Sequence, residues 1–179
     1  MFGPIAETLE TRRLLLEPLA VHHADEMADV LGDARLHAYI GGEPLSRDDL
    51  RARYEHLVAG PAPFHQESWL NWIVRRRRDG QAVGTVQATV TPAAADGPAA
   101  GGPAASVAWV IGMPYQGFGF ATEAARALVG WLAGKGVGEI VACVHPDNAA
   151  SAAVARRAGL RPTGEWRSGE LVWRSVHRP

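Results

Sequence analysis

Gln116-Gly117-Phe118-Gly119-Phe120-Ala121-Thr122-Glu123 is the stretch of this chain whose residue types and spacing could do chemistry. Two glycines two residues apart let the backbone turn tightly and come close to a ligand. The helical spacing of apolar residues that follows makes Gly119 to Thr122 a helix start, with unpaired N–H groups and the positive end of the dipole. Such a turn is an anion site, and a phosphate or pyrophosphate accepts several of those N–H groups at once. The alternative is a tight strand-to-helix turn with no ligand. No Gly-Lys-Ser/Thr follows, which excludes a P-loop. The dinucleotide fingerprint also fails, because its third small position falls on Thr122 and Glu139 opens its strand instead of ending it.

The remaining reactive groups are few. Cys143 is the one cysteine, so neither an intramolecular disulfide nor a Cys-based zinc site is available. Its apolar strand makes it a buried small hydrophobe. Lys135 is the one lysine and sits among glycines, a poor Schiff-base candidate. His22-His23 has no further ligand-type residue at metal spacing, and no metal is expected. Arg75 to Arg78 would alternate faces at an exposed hairpin end and serve solubility. With 18 Lys+Arg against 19 Asp+Glu and a net charge of -1, no global field recruits nucleic acid or an anionic membrane. The acidic N-terminal stretch lacks a signal-peptide pattern and no 18-residue apolar run occurs, so a cytoplasmic protein is expected.

The elements that position the anion site follow from periodicity. Leu14, Leu15 and Leu16 with Leu9 and Leu19 read as a first strand ending near Pro18, which precedes a helix from Val21 to Gly32, and Ser46 caps a second helix that ends at Gly60-Pro61. Residues 69–78 and 81–91 read as a hairpin about Asp79-Gly80. Pro92 to Ala105, nearly all Ala, Gly and Pro, reads as a mobile loop inside the sheet. Then come a strand at 106–111, a helix at 119–133, a strand at 139–144, a helix at 148–158 and a final strand pair about Ser168-Gly169. That order predicts a mixed α/β sheet with a parallel crossover around the 119–133 helix.

Gln116-Gly117-Phe118-Gly119-Phe120-Ala121 resembles the Gln/Arg-x-x-Gly-x-Gly/Ala acetyl-CoA signature of the GNAT acetyltransferase superfamily. The longer string Trp109 to Ala124, the Asn148-Ala149-Ala150-Ser151 helix start, Arg157-Ala158-Gly159-Leu160 and Glu10 to Leu16 look like its ribosomal-protein N-acetyltransferase branch. The match fades over 32–68 and 92–105. The resemblance implies one N-acetyltransferase domain over 1–179, with a mostly antiparallel sheet of six or seven strands and about four helices. It also implies a V-shaped splay between strands 106–111 and 139–144. Acetyl-CoA is the implied cosubstrate, without a metal. Its pantetheine arm would lie along Trp109, Val110 and Ile111, and its pyrophosphate on Gly117, Phe118, Gly119, Phe120, Ala121 and Thr122, with Gln116 helping. Asn148 would bond the pantetheine amides, or else only cap its helix after Pro146-Asp147. Ser151 would face the thiol sulfur, or else bond its own helix backbone.

The implied reaction is direct attack of a primary amine, a small metabolite or a protein N-terminus, on the thioester. A backbone N–H at Val110 or Ile111 would polarise the carbonyl. Many relatives carry a tyrosine acid at the position of Ala155, which leaves Ser151 as the thiolate's proton donor and His145 as the base. Glu67 and Glu170 are further acceptor-side candidates, Trp166 or Trp173 could line the acceptor pocket, and Glu123 is a structural dipole partner. Segments 32–68 and 161–179 would form that pocket. The missing tyrosine also suits an alternative, a non-catalytic CoA or acyl-CoA binding module. No nucleic-acid or membrane partner is expected, and a homodimer is compatible with the sequence.

Overall fold

Strand propensity and period-two patterning draw the described residues into one eight-stranded sheet whose spatial order, counting strands along the chain, is 1-2-3-4-5-6-8-7. The computed structural model describes residues 3–92 and 102–175. The strands are β1 (Leu9–Glu10), β2 (Leu14–Pro18), β3 (Ser68–Arg76), β4 (Ala82–Thr91), β5 (Ala104–Ile111), β6 (Glu139–Val144), β7 (Leu160–Arg167) and β8 (Glu170–Ser175). The helices are α1 (Ala24–Val30), α2 (His37–Ile40), α3 (Arg47–Ala59), α4 (Phe120–Gly134) and α5 (Ala149–Arg157), with short 3-10 turns at Val21–His23, Ala34–Leu36 and Met113–Tyr115. The sheet is one or two strands wider than the sequence implied, and the added pieces, β1 and α2, are too short for any periodicity to register. Strand β5 begins at Ala104 instead of Ser106, because Ala104 and Ala105 already pair with β4 and β6. The loop reading otherwise falls on residues 93–101, outside the described residues.

Every neighbouring pair is antiparallel except β5 and β6, which are parallel and joined through α4, the predicted crossover. Their pairing covers only Ala104–Ser106 against Glu139–Val141. Past Ser106 the two strands part, while β5 stays paired to β4 up to Gly84 and Ile111. This is the V-shaped splay.

Alternation along the strands builds two apolar faces. Leu14, Leu16, Leu70, Trp72 and Val86 pack with Phe120, Ala124, Leu128 and Leu132 of α4, whose apolar stripe at spacings of three and four has no alternative outlet. Ile73 and Ala82 turn to the opposite face and meet Met27 and Val30 of α1 and Leu50 and Tyr54 of α3. Helix α5 sits beside α4 through Ala125, Val154 and Ala158. Helix α3 is capped as the sequence predicts, Ser46 Oγ accepting the Asp49 N–H at 3.1 Å.

Arg77 and Arg78 are exposed at the hairpin end, as the solubility reading expects, but the first half of the arginine run departs from it. Arg75 is four-fifths buried, donates to Glu17 at 2.9 Å and Glu26 at 2.7 Å, and ties the hairpin to β2 and α1. Arg76 pairs with Asp79 and lies over the Tyr115 ring. The turn is also longer than two residues: Arg76 N–H reaches Gln81 and Gly80 N–H returns to Arg76. Folding brings Glu17 to His22 and His23, a juxtaposition that the spacing of the two histidines alone did not predict. Buried His23 has both ring nitrogens engaged, Nδ1 with the Ala20 N–H and Nε2 with Glu17, so this cluster holds the chain against β2.

The Arg75 guanidinium holds the Glu26 carboxyl below its ordinary 4.5, and Glu17 is also lowered: its burial acts upward, but hydrogen bonds from His23 and Arg75 together outweigh it. Folded values below unfolded ones give stabilisation that is complete above about pH 4.5 and lost as pH falls through the folded values. The melting temperature should therefore drop between pH 5 and pH 3, and Arg75→Gln should flatten that slope in calorimetry.

Candidate active site

Helix α4 begins where the two glycines permit. Gly117 and Gly119 hold φ of 85° and 82°, left-handed conformations costly for other residues. Gly119 is the N-cap and offers no side chain to occupy the helix start. Among the described residues, no intramolecular hydrogen bond takes the backbone N–H groups of 117–122. This fan of free donors opens on a cleft of about 720 Å3, lined by Trp109, Val110, Ile111, Gln116, Gly117, Gly119 to Thr122, Asn148 and Ser151. Of the implied cosubstrate residues, Phe118 alone does not line it, and its ring is exposed.

Gln116 turns its amide inward, Nε2 donating to the Ile111 carbonyl at 2.8 Å, so it braces the loop against the end of β5. A second brace has no counterpart in the sequence reading. Glu123 accepts from the Thr11 hydroxyl, the Arg13 N–H at 2.9 Å and Arg13 Nε at 2.7 Å, while Arg13 Nη1 donates to the Phe118 carbonyl at 2.8 Å. Arg13 also covers the Phe120 ring. Burial acts to raise the Glu123 carboxyl, but the bonds from Thr11 and Arg13 overcome it and leave it lowered. Glu123 is thus structural, through a 110-residue contact more than through the dipole. Thr11 and Arg13 lie in the turn between β1 and β2, and nothing in the sequence said what they face.

The splay exposes one edge of β5. Gly112 N–H bonds to Val83, and the Val110 carbonyl points at Gly84, where an added Cβ would lie 2.1 Å from it. Since peptide groups alternate along a strand, those of Trp109 and Ile111 face the open side and that of Val110 faces β4. Gly84 is therefore what lets β5 lie against β4 at the mouth of the splay, a role invisible in a glycine within an apolar run.

On the other side of the cleft, Asn148 caps α5, its Oδ1 accepting the Ser151 N–H at 3.1 Å. The side-chain amide NH2 of Asn148 remains to face the cleft. Ser151 Oγ accepts from Trp109 Nε1 at 3.0 Å, which links α5 to β5 across the opening. Among the described residues Ser151 Oγ acts only as an acceptor, so its own proton is uncommitted. Ala155, at the tyrosine position, is fully buried. Asn148→Ala should cost about 1 kcal/mol of stability for the lost cap and separately weaken acetyl-CoA binding; melting temperature and calorimetric affinity measured on the same variant distinguish the two.

His145 stands behind this wall. Its Nδ1 accepts the Asp147 N–H at 3.1 Å, its ring lies 5.0 Å from that of Tyr39, and it lines neither this cleft nor the cavity on the α1–α3 face of the sheet. Tyr39 reaches across from α2 to the Asp147 carbonyl at 3.3 Å.

A second cavity, about 470 Å3, lies on the α1–α3 face of the sheet and shares Leu36, Ile40, Trp109 and Val110 with the cleft. Of the two segments expected to form an acceptor pocket, 32–68 supplies much of the wall of this cavity and 161–175 supplies none. Trp173 is buried and Trp166 exposed, and neither borders either space. Glu67 accepts the Trp69 indole N–H at 2.8 Å in a different groove, and Glu170 borders none of these spaces. Burial pushes the Cys143 thiol up, and it too borders neither space.

A parallel splay in an otherwise antiparallel sheet, beside a glycine-built N–H fan, defines the acetyltransferase class to which the comparisons lead. Residues 13–161 match the family model of the acetyltransferase (GNAT) domain, and the chain belongs to that family. An acetyltransferase from Agrobacterium tumefaciens superposes with a TM-score of 0.71 at 26% identity, covering 99% of this chain and 98% of its own. RimL, a ribosomal-protein alpha-N-acetyltransferase in complex with coenzyme A, gives a TM-score of 0.76 at 18% identity over 95% and 98% of the two chains. AAC(6')-Ib, in complex with paromomycin and acetyl-CoA, gives 0.72 at 18% identity over 92% and 93%. No curated protein sequence matches significantly. No helix among the described residues is long and apolar enough to cross a membrane.

Proposed function

We propose that this chain transfers the acetyl group of acetyl-CoA to a primary amine by direct attack. The observation that carries this reading is the hydrogen bond from Trp109 to Ser151, which sets a hydroxyl with a free proton at the splay beside the N–H fan. The 117–122 N–H groups would hold the pyrophosphate, and the edge of β5 and Asn148 the pantetheine amides. Acetyl-CoA supplies the acyl group as a thioester. The Ile111 N–H, turned to the open side, would polarise its carbonyl oxygen. The amine nitrogen bonds to the acyl carbon, the carbon–sulfur bond breaks, and Ser151 hands its proton to the departing thiolate, regaining one from solvent. Donation from the Trp109 indole into Ser151 Oγ makes that hydroxyl a better donor. The ammonium's protons leave through water, and His145 acts by fixing Tyr39 and the 145–148 turn.

Ser151→Ala tests this assignment. With folding and acetyl-CoA binding preserved, amine-dependent CoA release should fall by roughly tenfold or more, while Cys143→Ala changes it little. An unchanged rate in Ser151→Ala removes Ser151 as the donor. Acetyl-CoA binding without CoA release for any amine would instead establish the non-catalytic binding module.

A further inference from the structure

We infer that the acceptor is a small primary amine with an apolar body and one uncharged hydroxyl or carbonyl group at its far end, neither a polycation nor a protein chain end. The inference rests on the acetyl-transfer reading and concerns the cavity on the α1–α3 face. Its position follows from the residues it shares with the cofactor cleft, since a molecule in it reaches Trp109 and Val110 where the splay opens.

The walls state the chemistry. Leu36, Ile40, Leu45, Leu50 and Leu57 line the cavity, and Ile40 and Leu45 are 61% and 44% exposed. Large aliphatic side chains facing water around a cavity mouth are the surface that an apolar ligand covers. The charges are balanced: Glu43 is the one carboxylate of the lining, against Arg53, and His37 Nδ1 bonds the Gly41 carbonyl. A polycation would find one carboxylate in a lining that also holds an arginine, whereas a single ammonium finds the counter-charge it needs to enter.

The floor sets the ligand's other end. Cross-strand register puts Asn71, Gln87 and Ala108 in one row and Ile73, Thr85 and Val110 in the next. Asn71, Gln87 and Val110 all line the cavity. The two carboxamides therefore sit side by side one row from the transfer point, roughly 7 Å along the strand. Among the described residues neither makes a side-chain hydrogen bond, so both are available to an uncharged polar group. A peptide would bring an N–H and a carbonyl at every residue against leucine walls, and these would go unsatisfied.

Tyramine is the test ligand, its amine and hydroxyl lying at opposite ends of an apolar ring and linker, against 2-phenylethylamine, spermidine and a serine-initiated tetrapeptide. With acetyl-CoA saturating, kcat/KM for tyramine should exceed those for spermidine and the tetrapeptide by at least about tenfold. It should exceed 2-phenylethylamine by a factor that Gln87→Leu collapses toward one. Leu45→Asp, at an exposed position, should lower kcat/KM for both aromatic amines. A faster tetrapeptide or spermidine reaction overturns the inference and leaves the acetyl-transfer reading standing. If no amine releases CoA, that reading fails, and calorimetric titration of the CoA-loaded protein with the same four ligands still decides: tyramine binding tightest supports the cavity assignment, and any other order overturns it.

Discussion

Gly119→Val yields a folded protein that binds acetyl-CoA at least about 100-fold more weakly, a loss near 2.7 kcal/mol. Gly119 is the helix N-cap at φ 82°, and a β-branched residue leaves that conformation. The backbone then rotates, and the free N–H groups of 117–122 lose their present arrangement at the cleft. Folding survives because the added Cβ meets only Arg13 Nη2 at 3.4 Å, the far end of a flexible side chain. Isothermal titration with acetyl-CoA, paired with a melting curve, checks both halves. Undiminished affinity in the folded variant would mean the phosphates bind elsewhere.

Gly84→Ala has the larger effect on the fold. A methyl group there would sit 2.1 Å from the Val110 carbonyl oxygen and 3.0 Å from Ile111 Cα, both backbone atoms that cannot swing aside. Strand β5 must shift away from β4, at a cost of about 3 kcal/mol. Urea denaturation measures that loss. The same shift moves Trp109 and Ile111, so acetyl-CoA affinity should fall even in the fraction that remains folded. A variant of normal stability would show that β5 yields easily and that Gly84 does not fix the splay.

These two glycines divide what can be read in a sequence from what cannot. Gly119 is legible because its neighbours in the chain explain it: a strand before, a helix after and a second glycine at 117 are local facts. Helices α3, α4 and α5 with their caps, the β5–α4–β6 crossover and the Ser168–Gly169 turn are legible for the same reason, since hydrogen bonds and apolar periodicity within a few residues dictate them. Gly84 is explained only by Val110, 26 positions away. The same holds for Glu123 and its partners Thr11 and Arg13, for Trp109 bonded to Ser151, and for Arg75 drawn in between Glu17 and Glu26. Each is a contact across strands or between a helix and the sheet, and side-chain type fixes no such partner until register and packing have set which faces meet. His145 shows the limit most plainly. Its residue type and its place after β6 suited a base, but its ring packs against Tyr39 and borders neither the cleft nor the second cavity, with Nδ1 on a backbone N–H. The sequence alone determined the glycine turn at the start of α4, the family resemblance and the order of the elements, because these are written in local patterns. The tertiary structure decided which groups share the cleft and what lines the cavity on the α1–α3 face, because those depend on distances between residues that the chain keeps far apart.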